Sequence, residues 1–186
     1  MKEFEFPKSI NGERIKLKKM THGYDEAFFN LIMSDKKRIG QFLSKYSEIH
    51  SIDDIRGFID KDIKKWKNKT DFNYAMIDKF SGEFMGRVGI INIEWRHESV
   101  EIGALVGKDY EGMGYVSEFI RLAEKIVFSY NFHRIKTACS DGNIRSCSMI
   151  EKNGYVFEGV MRESYRVVDQ FHNMRVYSKL ISEYKE

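Results

Sequence analysis

"VEIGALVGKDYEGMGYVSE", Val100 to Glu118, decides how the chain is organised. Its first half, "VEIGALVG", has the apolar alternation of a strand. Just past its end, Phe119, Leu122, Ala123, Ile126, Val127 and Tyr130 recur at the spacing of one helix face. Between strand and helix stand Gly112 and Gly114. A strand running through glycines into a helix points the unpaired N–H groups of the first helical turn at one spot. An anion can settle there, and glycines let backbone approach it closely. A tight strand-to-helix turn explains the same residues, and Glu111 stands where a phosphate would approach.

The flanks extend the pattern. "FNYAMID" (72–78) and "FMGRVGIINIEW" (84–95) are strands around a Ser81-Gly82 turn, and with "VEIGALVG" they predict three successive antiparallel strands. "HRIKTACS" (133–140) reads as a buried strand. "NIRSCSMIEKNG" (143–154) reads as a helix closed by Gly154 in the left-handed conformation. Two strands, "YVFEGVMRESYRV" and "FHNMRVYSKLI", close the chain. At the front, "ERIKLKKM" (13–20) is a half-buried strand and "GYDEAFFNLIMS" (23–34) a short helix. The stretch 35–50 is helical only in parts, with Gly40 inside it. Ser51 and Asp54 predict a capping box for a helix with Ile55, Ile59 and Trp66 on its apolar stripe. The order β-α-α-β-β-β-α-β-α-β-β implies an α/β chain of the α+β type. Its sheet is mixed but mostly antiparallel, with helices on both faces and one strand–helix–strand crossover.

Length and composition fit one domain over 1–186. Of the 186 residues 42% are hydrophobic, Pro7 is the single proline, and nothing reads as a linker. The formal charge of +3 is mild, and "KKWKNK" (64–69) reads as a solvated helix face, so nucleic acid is not expected as the main partner. Cys139 and Cys147 lack metal spacing and read as structural thiols of a reducing compartment; no metal is expected. "MKEFEFPKSI" has no apolar run of a secretory signal, and no stretch approaches the ~18 apolar residues of a membrane span. A cytoplasmic location without membrane attachment is the expectation. A homodimer through strand or helix edges is compatible with the sequence, although no interface is legible.

Taken together, "VEIGALVGKDYEGMGYVSE", "NIRSCSMIEKNGYVFEGVMRE" and the aromatic closing strand resemble the GNAT acyltransferases, and most closely their RimJ/RimL-type N-acetyltransferase branch. The resemblance spans roughly residues 11 to 182. It implies a GNAT-like fold and acetyl-CoA as co-substrate. The family's phosphate loop, Q/R-x-x-G-x-G/A, falls on residues 111–116: Gly114 matches, while Glu111 and Val116 depart. By this resemblance the backbone of Gly112, Met113, Gly114, Tyr115, Val116 and Ser117 holds the pyrophosphate, provided that Glu111 turns its carboxylate away. Ala104, Leu105 and Val106 would bond the pantetheine arm and the acetyl carbonyl through backbone groups, one N–H stabilising the oxyanion.

Further roles follow from the same resemblance. Asn143 lies near the pantetheine, or simply caps its helix. Ser146 stands where relatives place a serine proposed to protonate the leaving thiolate. The tyrosine that many relatives use for this step is replaced by Ile150. Glu101 is the candidate base that deprotonates the amine. Glu163 and Tyr165 are candidate substrate contacts, and their spacing suggests a shared strand face. The expected reaction is direct attack of a primary amine on the thioester. The acceptor is expected to be a protein N-terminus of ribosomal-protein type; polyamines and amino sugars are alternatives, as is an acyl-CoA-binding sensor without turnover.

Overall fold

The computed structural model describes residues 5–167 and 169–185. The first four residues of "MKEFEFPKSI" therefore lie outside the described residues. The chain runs β1 (Ser9–Asn11), β2 (Ile15–Lys19), α1 (Asp25–Ser34), α2 (Lys36–Gly40), α3 (Ile52–Lys67), β3 (Phe72–Asp78), β4 (Phe84–Glu94) and β5 (Ser99–Val106). It continues with α4 (Tyr115–Ser129), β6 (Arg134–Ser140), α5 (Ile144–Lys152), β7 (Val156–Val167) and β8 (Gln170–Leu180). No helix among the described residues is long and apolar enough to cross a membrane.

The strands form one sheet in the order β1-β2-β3-β4-β5-β6-β8-β7. Every neighbouring pair is antiparallel except β5–β6, which the crossover through α4 makes parallel. This is the mixed, mostly antiparallel sheet the sequence predicts. It adds two small elements to the expected order: β1, which pairs with β2 over three residues, and α2, which fills the ambiguous stretch after Asp35.

Alternation along the strands builds two cores. On one face Tyr74, Met76, Val100 and Ile102 pack against Phe119, Ile120, Ala123 and Val127 of α4 and Cys147 and Ile150 of α5. On the other, Ala75, Ile77 and Leu105 pack against Phe28 and Ile32 of α1, Ile39 of α2 and Ile55 and Ile59 of α3. Ser51 caps α3 as expected: its Oγ accepts the Asp54 amide at 3.3 Å, and Asp54 returns a bond to the Ser51 amide at 2.8 Å. Trp66 packs edge-on against Phe72 and donates to the Asn73 carbonyl at 2.9 Å. Gly154 closes α5 with φ +80°. Of the closing aromatics, Tyr155 and Tyr177 are buried, whereas Phe171 is 61% exposed on the outer part of the sheet.

Candidate active site

The parallel register of β5 with β6 ends at Glu101–Lys136. Beyond it the strands part. The Gly107 amide bonds the Met85 carbonyl at 2.9 Å, so alternation turns the odd residues of β5 toward β4 and the even ones toward the opening. The Ile102 carbonyl there accepts the Thr137 hydroxyl at 3.1 Å. The backbone groups of Ala104 and Val106 face the gap.

Three adjoining cavities of about 380, 180 and 80 Å³ follow this gap and share Val116, Ser146 and Met149. The largest runs along Gly112, Gly114, Tyr115 and Ser117 to Arg145 and Lys152. The second extends from Ala104, Leu105 and Val106 to Arg38 and Asn143. The smallest lies between Gly103 and Ile150.

Local geometry shapes the loop at the first cavity. Gly112 and Gly114 have φ of +74° and +82°, a region open to glycine at little cost. A Cβ on them would lie 3.3 Å from Arg145 Nη2 and 3.2 Å from Arg14 Nη2 respectively. Arg14 pins the loop from outside: its Nη1 donates to the Met113 carbonyl at 2.9 Å and its Nε to Glu118 Oε2 at 3.3 Å. Glu118 Oε1 in turn accepts the Arg14 and Ile15 amides at 2.9 and 3.2 Å. Met113 is 55% exposed, and it does not line the cavities as its neighbours Gly112 and Gly114 do. Asn153 Nδ2 donates to Ser117 Oγ at 2.9 Å and ties the start of α4 to the end of α5.

Glu111 bridges two guanidiniums, those of Arg38 and Arg145, and Arg38 also binds Asp35. Its charge is answered by protein cations beside the glycine loop. Asn143 Oδ1 accepts the Ser146 amide at 3.2 Å, so Asn143 caps α5 and lines the second cavity at once. Ile150 is 4% exposed and contributes no polar group.

The other predicted residues stand farther off. Glu101 shares the β5 face of Leu105 and accepts Asn92 Nδ2 at 2.9 Å, at the closed end of the gap. It is absent from the lining of the three cavities, as are Glu163 and Tyr165. The shared face expected for Glu163 and Tyr165 does not follow from simple alternation. Glu163 has φ +49°, and the register with β8 shifts between Met161 and Tyr165. Tyr165 instead lies against the His172 ring, centroids 5.3 Å apart.

Residues 14–156 match the family model of the acetyltransferase (GNAT) domain. The chain belongs to the GNAT acetyltransferase family. As a GNAT domain it uses acetyl-CoA. This acetyltransferase is 25% identical over 163 residues to YdaF of Bacillus subtilis (strain 168), named as a candidate ribosomal N-acetyltransferase; the match covers 86% of this chain and 87% of that one. It is 22% identical over 173 residues to the ribosomal-protein-serine acetyltransferase of Escherichia coli (strain K12), covering 91% and 94%. Among solved structures, the microcin C7 self-immunity acetyltransferase MccE, in complex with acetyl-CoA and AMP, superposes with a TM-score of 0.88 at 20% identity, over 94% of this chain and 97% of that one.

The glycine loop fits the phosphates of that co-substrate. The first N–H groups of α4 open onto the largest of these three cavities, the two glycines leave the space a Cβ would fill, and Arg145 stands beside them. The thiols of Cys139 and Cys147 lie 2.8 Å apart and buried. Burial, then the hydrogen bond with Cys147, pushes the Cys139 thiol well above its ordinary range, which disfavours a nucleophilic thiolate there. Sequence reasoning missed Arg14, Arg38, Arg145 and Glu118. The pairs Arg14–Glu118, Arg38–Glu111 and Arg145–Glu111 join residues 34 to 104 positions apart, and no local spacing announces such pairs.

Proposed function

We propose that this acetyltransferase acetylates the primary amine of a protein N-terminus, as a ribosomal-protein type enzyme. The carrying observation is the second cavity. It leads from Ala104 and Ser146 toward the α2 side, and its ionic groups are Arg38 and a Glu111 already bridged by two arginines. A polyamine, itself cationic, would call for unpaired carboxylates there. The names of the two curated relatives support the same acceptor class.

When bound, the thioester supplies the acetyl group to the amine. The residues then divide the work. Backbone N–H groups from Gly112 to Ser117 bind the phosphates, with Met113 contributing main chain only. The open backbone of Ala104 and Val106, next to Leu105, orients the arm and carbonyl, and Asn143 closes that side. Ser146 Oγ holds the proton for the departing thiol. Glu101 takes the amine proton through water, since its carboxylate is outside the cavity lining. Glu163 and Tyr165, outside the cavity lining, are assigned to acceptor choice alone.

An acceptor screen with acetyl-CoA and mass detection tests the reading. Peptides bearing free N-termini should gain one acetyl group, while polyamines and amino sugars should not. Turnover of polyamines alone would replace the reading, and tight acetyl-CoA binding without any turnover would favour a sensor.

A further inference from the structure

A thioester carbonyl carbon has three substituents, the sulfur, the oxygen and the acyl tail, and an amine reaches it from a fourth direction. In the arrangement proposed above, three of these directions are taken. The arm arrives from the glycine loop, along the largest of the three cavities. The oxygen meets the open backbone of Ala104 and Val106. The amine comes through the second cavity, from the α2 side. The smallest cavity, about 80 Å³, is left over. It meets the other two at Val116, Ser146 and Met149, and it shares the exposed Ala104 with the second.

The wall of that cavity selects what can enter. Ile102, Phe119, Ile120 and Ile150 belong to the core, so the cavity backs onto packed apolar side chains. No charged side chain is among the described residues that line it. The Thr137 hydroxyl is donated to the Ile102 carbonyl at 3.1 Å, and the Cys139 and Cys147 thiols pair with each other at 2.8 Å. An aliphatic tail suits such a wall, whereas a carboxylate would be buried there unpaired. At roughly 30 Å³ per water-sized group, the space takes about two or three carbons. The acetyl methyl is the first of them.

We infer that the protein also uses propionyl-CoA and butyryl-CoA, with the acyl tail in this smallest cavity. The further activity is transfer of a short, uncharged, straight-chain acyl group to the same amine. The neutral amine nitrogen bonds the acyl carbon as its C–S bond breaks; one proton leaves the nitrogen and one is gained by the sulfur. The inference rests on entry of the amine through the second cavity and is indifferent to whether that amine belongs to a peptide. Ile150 is a specificity-determining residue in this role, since its side chain forms part of the apolar wall.

Titration calorimetry of the full-length protein, with no acceptor present, gives Kd for acetyl-, propionyl-, butyryl- and malonyl-CoA. Each methylene buried should tighten binding roughly fourfold, so Kd should fall from acetyl- to propionyl- to butyryl-CoA. Malonyl-CoA, whose tail ends in a carboxylate, should bind at least about tenfold more weakly than butyryl-CoA. In Ile150→Phe, which fills the cavity, propionyl-CoA should bind more weakly than acetyl-CoA. A wild-type Kd that does not fall from acetyl- to propionyl-CoA would overturn the inference, and that result needs no variant to fold. So would malonyl-CoA binding as tightly as butyryl-CoA, or a folded Ile150→Phe protein that keeps the wild-type order. With any amine that accepts acetyl, mass detection should show a product one methylene heavier from propionyl-CoA; its absence would also overturn the inference. If the wild type acetylates other amines but no peptide, the acceptor reading falls by itself, and the Kd series still decides this one.

Discussion

Ser146 is the polar side chain that all three cavities share, while its own amide is already held by Asn143. Removing the hydroxyl should therefore leave the helix start intact. Ser146→Ala is expected to lower kcat about 100-fold, the low end for a lost general acid because a thiolate already leaves well, with little change in KM for acetyl-CoA. Steady-state kinetics check this, and an unchanged kcat removes Ser146 from the chemistry. Glu111 is the second informative residue. Glu111→Gln takes one negative charge from between Arg38 and Arg145 and so frees positive potential beside the glycine loop. Acetyl-CoA should bind several-fold tighter, about 1 kcal/mol at the effective dielectric of a protein surface. Titration calorimetry at low and high salt reads it, and the gain should shrink with salt. A Kd that does not move would mean that these charges do not reach the phosphates.

At the scale of elements, His22 links α1 to α3. Its Nδ1 lies 3.2 Å from Asp25 and its Nε2 3.0 Å from Asp60. The hydrogen bond with Asp60 and then that with Asp25 raise the imidazole above its ordinary value. A raised folded value means that the contribution is fully present below the unfolded value of about 6.5 and fades as pH rises through the folded one. The melting temperature of the wild type should thus lose a small increment over that window relative to His22→Gln, and an NMR titration of His22 should show a raised midpoint. Identical pH dependence in both proteins would rule the link out. Elements were also what the sequence disclosed best. The capping box at Ser51, the stripe from Phe119 and the Gly154 stop each depend on neighbours within a few turns. β1 escaped because three residues carry no period, and α2 because Lys36 to Gly40 is too short to show one. The candidate site was legible where it is made of main chain, at Gly112 to Ser117. It was illegible where charges meet across the fold, as at Arg38, Glu111 and Arg145. For Glu163 and Tyr165, period-two reasoning failed at a bulge that only pairing with β8 defines.

For the whole molecule, the layers are tied by a buried ion pair. Arg87 of β4 donates to both oxygens of Asp62 in α3, at 2.7 and 2.6 Å, and Asn73 of β3 adds a bond of 2.9 Å. Deleting one partner strands the other charge out of water. Asp62→Ala should cost about 3–5 kcal/mol of stability, and replacing both with apolar residues of similar size should recover much of it. Urea melts of the single and double variants decide this; a single variant as stable as the wild type would show that the pair does not hold the layers. The parting of β5 and β6 has a consequence of the same global kind. A sheet ordinarily has two edges, here β1 and β7, and its central strands are its slowest amides to exchange with solvent. This sheet has a second pair of edges in its middle. In deuterium-exchange experiments the amides of Ala104 and Val106 should behave like rim amides despite their place in the core, and Val100, one turn of the pleat below, should not.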